Sequence, residues 1–152
     1  MNFADPSITE LLRKGLEYDL WANMRWYNAL RMMKNQEQGS PVLQHILTTQ
    51  RTWLERCGEP VAEIPRAATI AAFDAASKAW RGVVDSRSLS QMIDYQDSRG
   101  RPHQRQLGEI AWHVINHGSF HRGHLRGLAQ SEGFEEFADT DLILFMDEAR
   151  KK

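Results

Sequence analysis

Apolar residues recur at three- and four-residue steps along most of the chain, a spacing typical of amphipathic helices. The first such stretch follows Asp5-Pro6, with Ser7 and Glu10 as a capping pair, and it is predicted to continue to about Lys34. Its apolar positions are Ile8, Leu11, Leu12, Trp21, Met24, Tyr27, Leu30 and Met33. A long first helix with one apolar stripe is therefore expected.

Two further helices are predicted in the middle of the chain. Ser40-Pro41 opens the second, which Gly58 and Pro60 end, and the third extends roughly from Thr69 to Val84. Residues 86–105 differ, because a short alternating run is followed by turn residues. This segment is interpreted as a small hairpin or an ordered irregular loop.

The last third of the chain predicts a long helix and a short one. The fourth helix begins near Leu107 and stops near Gly133, and a final helix covers about Asp141 to Lys152. Four substantial amphipathic helices with little strand signal favour an all-α fold, a four-helix bundle. The length of 152 residues predicts a single domain over residues 1–152.

Composition and charge exclude several classes of function. The formal net charge is −1 and no basic stripe is present, which disfavours nucleic-acid binding. No apolar run approaches the roughly 20 residues that span a bilayer. The N-terminus lacks a signal-peptide pattern and Cys57 is the only cysteine, so a cytoplasmic location is expected, with Cys57 as a small buried apolar residue.

Four of the six histidines lie in the segment HVINHGSFHRGHL on the fourth helix. At about 100° per residue, with His117 at zero, His121 falls near +40°, while His113 and His124 fall at or beyond the border of the apolar stripe. That stripe spans about +20° to +80° and consists of Leu107, Ile110, Val114, Leu125 and Leu128. His117 and His121 are thus the inward-facing pair. Hydrogen bonding to neighbours and coordination of one ion both remain open for them.

A third ligand is needed for firm binding of a divalent ion. His103 lies in the loop segment, whereas His45 lies beside the apolar stripe of the second helix. A lone histidine in such a position is more often structural. Joined to His117 and His121 it becomes the natural third ligand, because bundle cores build metal sites from facing helices.

The segments HILTTQRTWLERC and HVINHGSFHRGHL together resemble the DinB/YfiT-like family of metal-dependent enzymes, named after damage-inducible genes. YDLWANMRW and FADTDLILFMDEAR are similar to the first helix and the tail of that family. The resemblance implies an up-down-down-up four-helix bundle with a long crossover between the second and third helices. It also implies that His45, His117 and His121 are metal ligands and that homodimers form. His124 departs from the family pattern, which has glutamine there.

Three neutral imidazoles suit Zn²⁺, Ni²⁺ or Mn²⁺/Fe²⁺ and leave positions open, as in catalytic sites. No His-Glu-x-x-His motif is present, so His113, His124 and Tyr18 are the candidates for proton handling near the ion. Relatives of this fold include thiol-dependent transferases and isomerases that use low-molecular-weight thiols, so the resemblance implies S-transfer or metal-assisted hydrolysis of a small-molecule substrate. The alternative is a non-catalytic, stress-related bundle in which the metal stabilises or senses.

The first helix carries more apolar residues than one stripe requires. With Leu20, Trp26 and Leu30, apolar and aromatic side chains cover more than one face of the helix. A second buried surface, consistent with a homodimer, is therefore expected on this helix.

Overall fold

The computed structural model of the protein describes residues 7–33, 39–134 and 138–151. These ranges are mostly helical, and their helices are α1 (Ile8–Met32), α2 (Gly39–Arg56), α3 (Ile70–Ser86), α4 (Leu107–Ser131) and α5 (Leu142–Arg150). Between α3 and α4 the chain forms two short strands, β1 (Met92–Gln96) and β2 (Pro102–Gln106). The mostly helical fold expected from the sequence is confirmed. Within the ranges given, no helix is both long enough and apolar enough to cross a membrane.

Side-chain caps determine where α1 and α3 begin. Ser7 Oγ accepts a hydrogen bond from the Glu10 amide at 3.2 Å, and the Glu10 carboxylate accepts one from the Ser7 amide at 2.6 Å. This reciprocal capping box starts α1 at Ile8. Thr69 caps α3 by accepting a hydrogen bond from the amide of Ala72 at 3.2 Å. Asp5, Pro6 and Lys34, which the sequence placed at the ends of the first helix, lie outside the described residues.

The segment before α4 is a β-hairpin. Its strands are antiparallel, with Tyr95 opposite His103. The Asp97 carboxylate closes the turn by accepting a hydrogen bond from the Arg101 amide at 3.0 Å, and Gly100 takes a φ of 75°, which favours glycine. Of the two interpretations of residues 86–105, the hairpin is therefore confirmed, with β2 ending at Gln106.

Contacts between the helices show which pairs are parallel and which are antiparallel. Helices α1 and α3 are antiparallel, since Arg13 contacts Asp85 and Leu16 contacts Ser77. Helices α1 and α4 are parallel, since Gly15 lies against Ile115 and Asp19 pairs with Arg122. Helices α2 and α4 are antiparallel, since His45 contacts His121 and Trp53 contacts His113.

The core includes the residues that the sequence assigned to a second surface of the first helix. Trp26 and Leu30 are buried within the single chain, at 1% and 4% exposure, and Leu20 packs against the same core. The reasoning from these three residues to a homodimer was wrong, because α1 contacts both α3 and α4 and so has two faces covered within the chain. Cys57 is buried, as expected.

Candidate metal centre

Three imidazole side chains meet where α2 passes α4. His45 comes from α2, and His117 and His121 lie one turn apart on α4. Each offers a ring nitrogen, and these nitrogens all lie within 4.8 Å of one another. The Nε2 atoms of His45 and His117 are 3.1 Å apart. The structure thus brings together the three histidines selected from the sequence, here called the histidine triad.

Packing of apolar neighbours holds the two helices that carry the triad. On α2, Ile46 and Leu47 follow His45 and are almost completely buried. On α4, Val114 and Leu125 are buried on the turns that flank the two histidines. Because the apolar residues lock both helices into the core, the rings of the triad are carried by rigid elements rather than by loops.

The triad lies at the rim of the core and not inside it. His117 and His121 are half-buried and His45 is exposed. The buried face of α4 also includes Ala111, Gly118, Arg122 and Ala129. With these residues the face centres near +90° from His117, so the histidines lie on its edge. The sequence placed His121 in the middle of the inward stripe and His117 near its edge, whereas both lie at the edge of the buried face, because the small residues and Arg122 also face inward.

The surroundings of the triad keep its α4 histidines neutral. Partial burial, followed by the neighbouring His121 and His45, lowers the pKa of His117 to about 4. Burial, then the proximity of His45 and His124, also lowers the pKa of His121. The neutral imidazole is the form that binds a metal ion, so at neutral pH neither of these two α4 rings has to lose a proton before binding.

The donor set fits a divalent metal ion. Two nitrogens about 2.0–2.1 Å from one zinc ion at a tetrahedral angle lie roughly 3.3 Å apart. The 3.1 Å between His45 Nε2 and His117 Nε2 is close to that spacing. A direct hydrogen bond between these rings also fits this distance but leaves His121 without a role. In the part of the chain that the structure describes, no carboxylate or thiol joins the triad, which leaves coordination positions for water or substrate.

A buried polar network lies on the core side of the triad. The Arg122 guanidinium on α4 donates to the Asp19 carboxylate at 2.5 Å and to Asn23 Oδ1 at 2.7 Å. Asp19 also accepts from Gln50 Nε2 on α2 at 2.6 Å and from Asn23 Nδ2 at 3.0 Å. Burial raises the pKa of Asp19, and Arg122 and the two amides oppose that rise. The network joins α1, α2 and α4, and its Arg122 follows His121 directly in the chain.

Gly118 is required by this network. A Cβ atom at this position would lie 2.1 Å from Asp19 Oδ1 and 2.8 Å from Arg122 Nη1. The glycine between the two histidines therefore makes room for the ion pair. Sequence analysis did not identify this ion pair, although Asp19 and Asn23, two polar residues one turn apart in an apolar helix, were a usable signal.

The three candidates for proton handling lie in different places. His113 is exposed, and its ring centroid is 5.8 Å from that of His117. His124 is exposed on α4 and is not part of the triad. Tyr18 is buried, and its hydroxyl donates to the backbone oxygen of Thr140 at 2.8 Å. Of the three, His113 makes a ring contact with a member of the triad, His117.

Aromatic rings continue from the triad toward the hairpin. His113 contacts His117 at 5.8 Å and Trp53 at 5.4 Å between ring centroids. Trp53 contacts Tyr95 on β1 at 4.8 Å, and Tyr95 stacks on His103 of β2 at 5.4 Å. Trp53, Tyr95, His103 and His113 are here called the aromatic frame. Pairing across the hairpin, which places Tyr95 opposite His103, was needed to identify Tyr95 as part of this frame.

Comparison with known proteins gives one distant relative. The chain is similar to Protein DinB of Bacillus subtilis (strain 168), with 24% identity over an alignment of 163 positions that covers 89% of this chain and 94% of that protein. This similarity confirms the resemblance to the DinB-like family noted from the sequence motifs. No family model matches the chain. No solved structure matches it either.

Proposed function

We propose that this chain, similar over most of its length to a DinB protein, is a metal-dependent enzyme whose divalent ion is held by the histidine triad. The observation that carries the proposal is the convergence of three imidazole nitrogens from two helices within 4.8 Å of one another. Three neutral ligands with positions left open are typical of catalytic zinc and of related divalent ions such as Ni²⁺, Mn²⁺ and Fe²⁺. The proposed substrate is a small molecule, with a low-molecular-weight thiol as one reactant.

The proposed reaction is S-transfer, with metal-assisted hydrolysis as the second possibility of the same site. When bound, a divalent ion supplies Lewis acidity, which favours deprotonation of a thiol or water and polarises carbonyl groups. The chain contributes orientation and proton handling. His113 is exposed next to His117 and can accept a proton, whereas the proton of the Tyr18 hydroxyl is engaged with Thr140. In S-transfer the thiol sulfur forms a bond to an electrophilic carbon, and the leaving group departs with its electron pair.

The up-down-down-up four-helix bundle is likewise a proposal. It is supported by α1 and α4 running in the same sense, and by α1–α3 and α2–α4 pairs running in opposite senses. The long segment between α2 and α3 agrees with a crossover connection. A single domain over residues 1–152 and a cytoplasmic location are part of the same proposal.

A homodimer is also proposed, now on a different surface from the one that the sequence suggested. Ile8, Leu11 and Trp112 are exposed, and they line an apolar cleft of about 640 Å³ between the first turns of α1 and α4. Large exposed apolar patches are often interaction sites. A monomer in light scattering at about tens of micromolar, where obligate dimers persist, would contradict this.

Metal analysis of protein purified without an affinity tag tests the metal site. We expect about one divalent ion per chain. His117→Ala or His121→Ala should abolish binding, because two imidazoles hold an ion weakly. His103→Ala is the matched control, since His103 is bonded to Asp97 at 3.1 Å on the hairpin and should keep the ion. Full occupancy in His121→Ala would refute the assignment.

A turnover assay separates an enzyme from a metal-stabilised or metal-sensing bundle. A panel of low-molecular-weight thiols is presented with an electrophile, with and without added metal. The enzyme proposal expects metal-dependent turnover that His121→Ala abolishes. Metal binding that raises only the unfolding temperature, with no turnover across the panel, would favour the non-catalytic bundle.

A further inference from the structure

The strongest unassigned feature near the triad is the guanidinium of Arg56 in the last turn of α2. It lies 4.4 Å over the Trp53 ring and 5.1 Å from the Tyr95 ring centroid. Stacking on two rings fixes its position, because cation–π contacts orient a guanidinium without neutralising it. Arg56 takes part in none of the ion pairs formed by the described residues. It is therefore a positioned positive charge without a carboxylate partner.

Two carboxylates in the segments that follow Arg56 and Tyr95 pair with other cations. Glu59 pairs with Arg87 at 2.7 Å. In the hairpin turn, Asp97 pairs with Arg101 at 2.8 Å and with His103 at 3.1 Å. Since no ion pair among the described residues includes Arg56, its charge is available to an incoming anion.

The aromatic frame connects Arg56 to the triad. From the guanidinium, the path passes over Trp53 to His113 at 5.4 Å and then to His117 at 5.8 Å. Positions 45 and 56 are roughly 16 Å apart along α2 at a rise of about 1.5 Å per residue. A ligand up to roughly 16 Å long, lying along these rings, would span the separation.

We propose that Arg56 is the carboxylate-binding residue of this site, and that the substrate is a thiol carrying a carboxylate at the far end of a chain, up to roughly 16 Å from its sulfur. The inference rests on the proposed function, because the thiol end is assigned to the ion held by the triad. One guanidinium matches one carboxylate in charge and can bind it through two parallel hydrogen bonds. The aromatic frame covers the uncharged part of the substrate.

A length series of thiols tests the proposal by calorimetry on the metal-loaded protein. The probes are mercaptoacetate, mercaptohexanoate, mercaptooctanoate and mercaptoundecanoate, each compared with the mercapto-alcohol of the same chain length. We expect the acid to bind about tenfold more tightly than the alcohol once the chain is long enough, and no such preference for mercaptoacetate. Arg56→Met should remove the preference while leaving the binding of the alcohols unchanged.

Arg25→Met is the matched control. Arg25 also lies over a tryptophan ring, 4.7 Å from the Trp21 centroid, but on α1, where it faces Glu148 on α5. This variant should keep the full preference for acids. Equal affinity for acid and alcohol at every length, or an unchanged preference in Arg56→Met, would overturn the proposal. Loss of the preference in both variants would also overturn it, because the effect would then not be specific to Arg56.

A second measurement does not depend on the metal. In protein stripped of metal, octanoate should shift the Nε–Hε NMR signal of Arg56, identified by its disappearance in Arg56→Met, whereas octanol should not. An unmoved signal would refute the carboxylate site even if the triad binds metal and thiols. Conversely, a shifted signal in a protein that binds no metal would refute the proposed function and retain the carboxylate site.

Discussion

The ion pair between Asp19 and Arg122 should be a major determinant of stability. Both side chains are almost fully buried, at 2% and 3% exposure, and their charged atoms are 2.5 Å apart. The substitution Asp19→Asn keeps the size of the side chain and removes its charge. The guanidinium then remains buried without a counter-charge. Removing one partner of a buried pair typically costs about 3–5 kcal/mol in the free energy of unfolding. That is a large share of the free energy of unfolding of a typical domain, which is roughly 5–15 kcal/mol.

Urea unfolding followed by circular dichroism at neutral pH measures this loss. Asp85→Asn is the matched control, because Asp85 also pairs with an arginine, Arg13, at 2.6 Å, but with both side chains 40–45% exposed. An exposed pair contributes about 0–1 kcal/mol, so this variant should be close to wild type. The two variants make the same chemical change at similar distances, and they differ in burial.

Two outcomes would contradict this reasoning. If the free energy of unfolding of Asp19→Asn lies within about 1 kcal/mol of that of Asp85→Asn, burial does not control the contribution of the ion pair. If the double variant Asp19→Leu, Arg122→Met is less stable than Asp19→Asn, the cost is lost packing rather than an unpaired charge. We expect the double variant to recover part of the stability, because apolar residues can replace a buried pair.

Three other substitutions give direct tests. Gly118→Ala should lower the free energy of unfolding by about 1–3 kcal/mol through overpacking, whereas Gly123→Ala, with open space around its Cβ position, should be neutral or stabilising in the same urea assay. His124→Gln should leave the metal content unchanged and alter the pH dependence of activity, and a clear loss of metal would make His124 a ligand. The hydrogen bond from the Arg101 amide is the largest cause that holds the pKa of Asp97 well below its usual value. The stability that this carboxylate contributes is therefore present above about pH 4 and is lost as the pH falls further. Thermal unfolding of Asp97→Asn should lack that loss at acid pH, and an acid profile equal to that of the wild type would contradict the prediction.

The helices could be predicted from the sequence because their limits are local. Ser7 with Glu10, and Thr69, cap helices through bonds to residues three positions away, so the signal is contained in a few letters. The left-handed conformation of Gly58, at a φ of 79°, ends α2 in the same local way. The sequence alone does not distinguish the hairpin from an irregular loop, because the strands are five residues long and only one side chain of β1, Ile93, is buried.

The orientation of α4 could be predicted only in part. Large apolar side chains defined the stripe from the sequence, yet the inward face also holds Gly118, Ala129 and Arg122. A glycine and an alanine carry little hydrophobic signal, and a buried arginine carries the opposite one. The inward positions of Gly118 and Arg122 depend on Asp19, about one hundred residues away in the chain. Its carboxylate pairs with Arg122 and occupies the space beside Gly118. Long-range pairing of this kind has no local pattern.

The network and the triad occupy two sides of the same pair of helices. Arg122 follows His121 directly, and Gln50 lies on α2 beyond His45, so the bonds from both to Asp19 fix α4 against α2 from the core side. The spacing of the triad is therefore determined by buried contacts that exist without the ion. A preformed site avoids the entropic cost of ordering its ligands on binding, and its position at the rim leaves the remaining coordination positions open. Changes at the rim should then affect the ion alone, whereas changes in the network should loosen both the fold and the site.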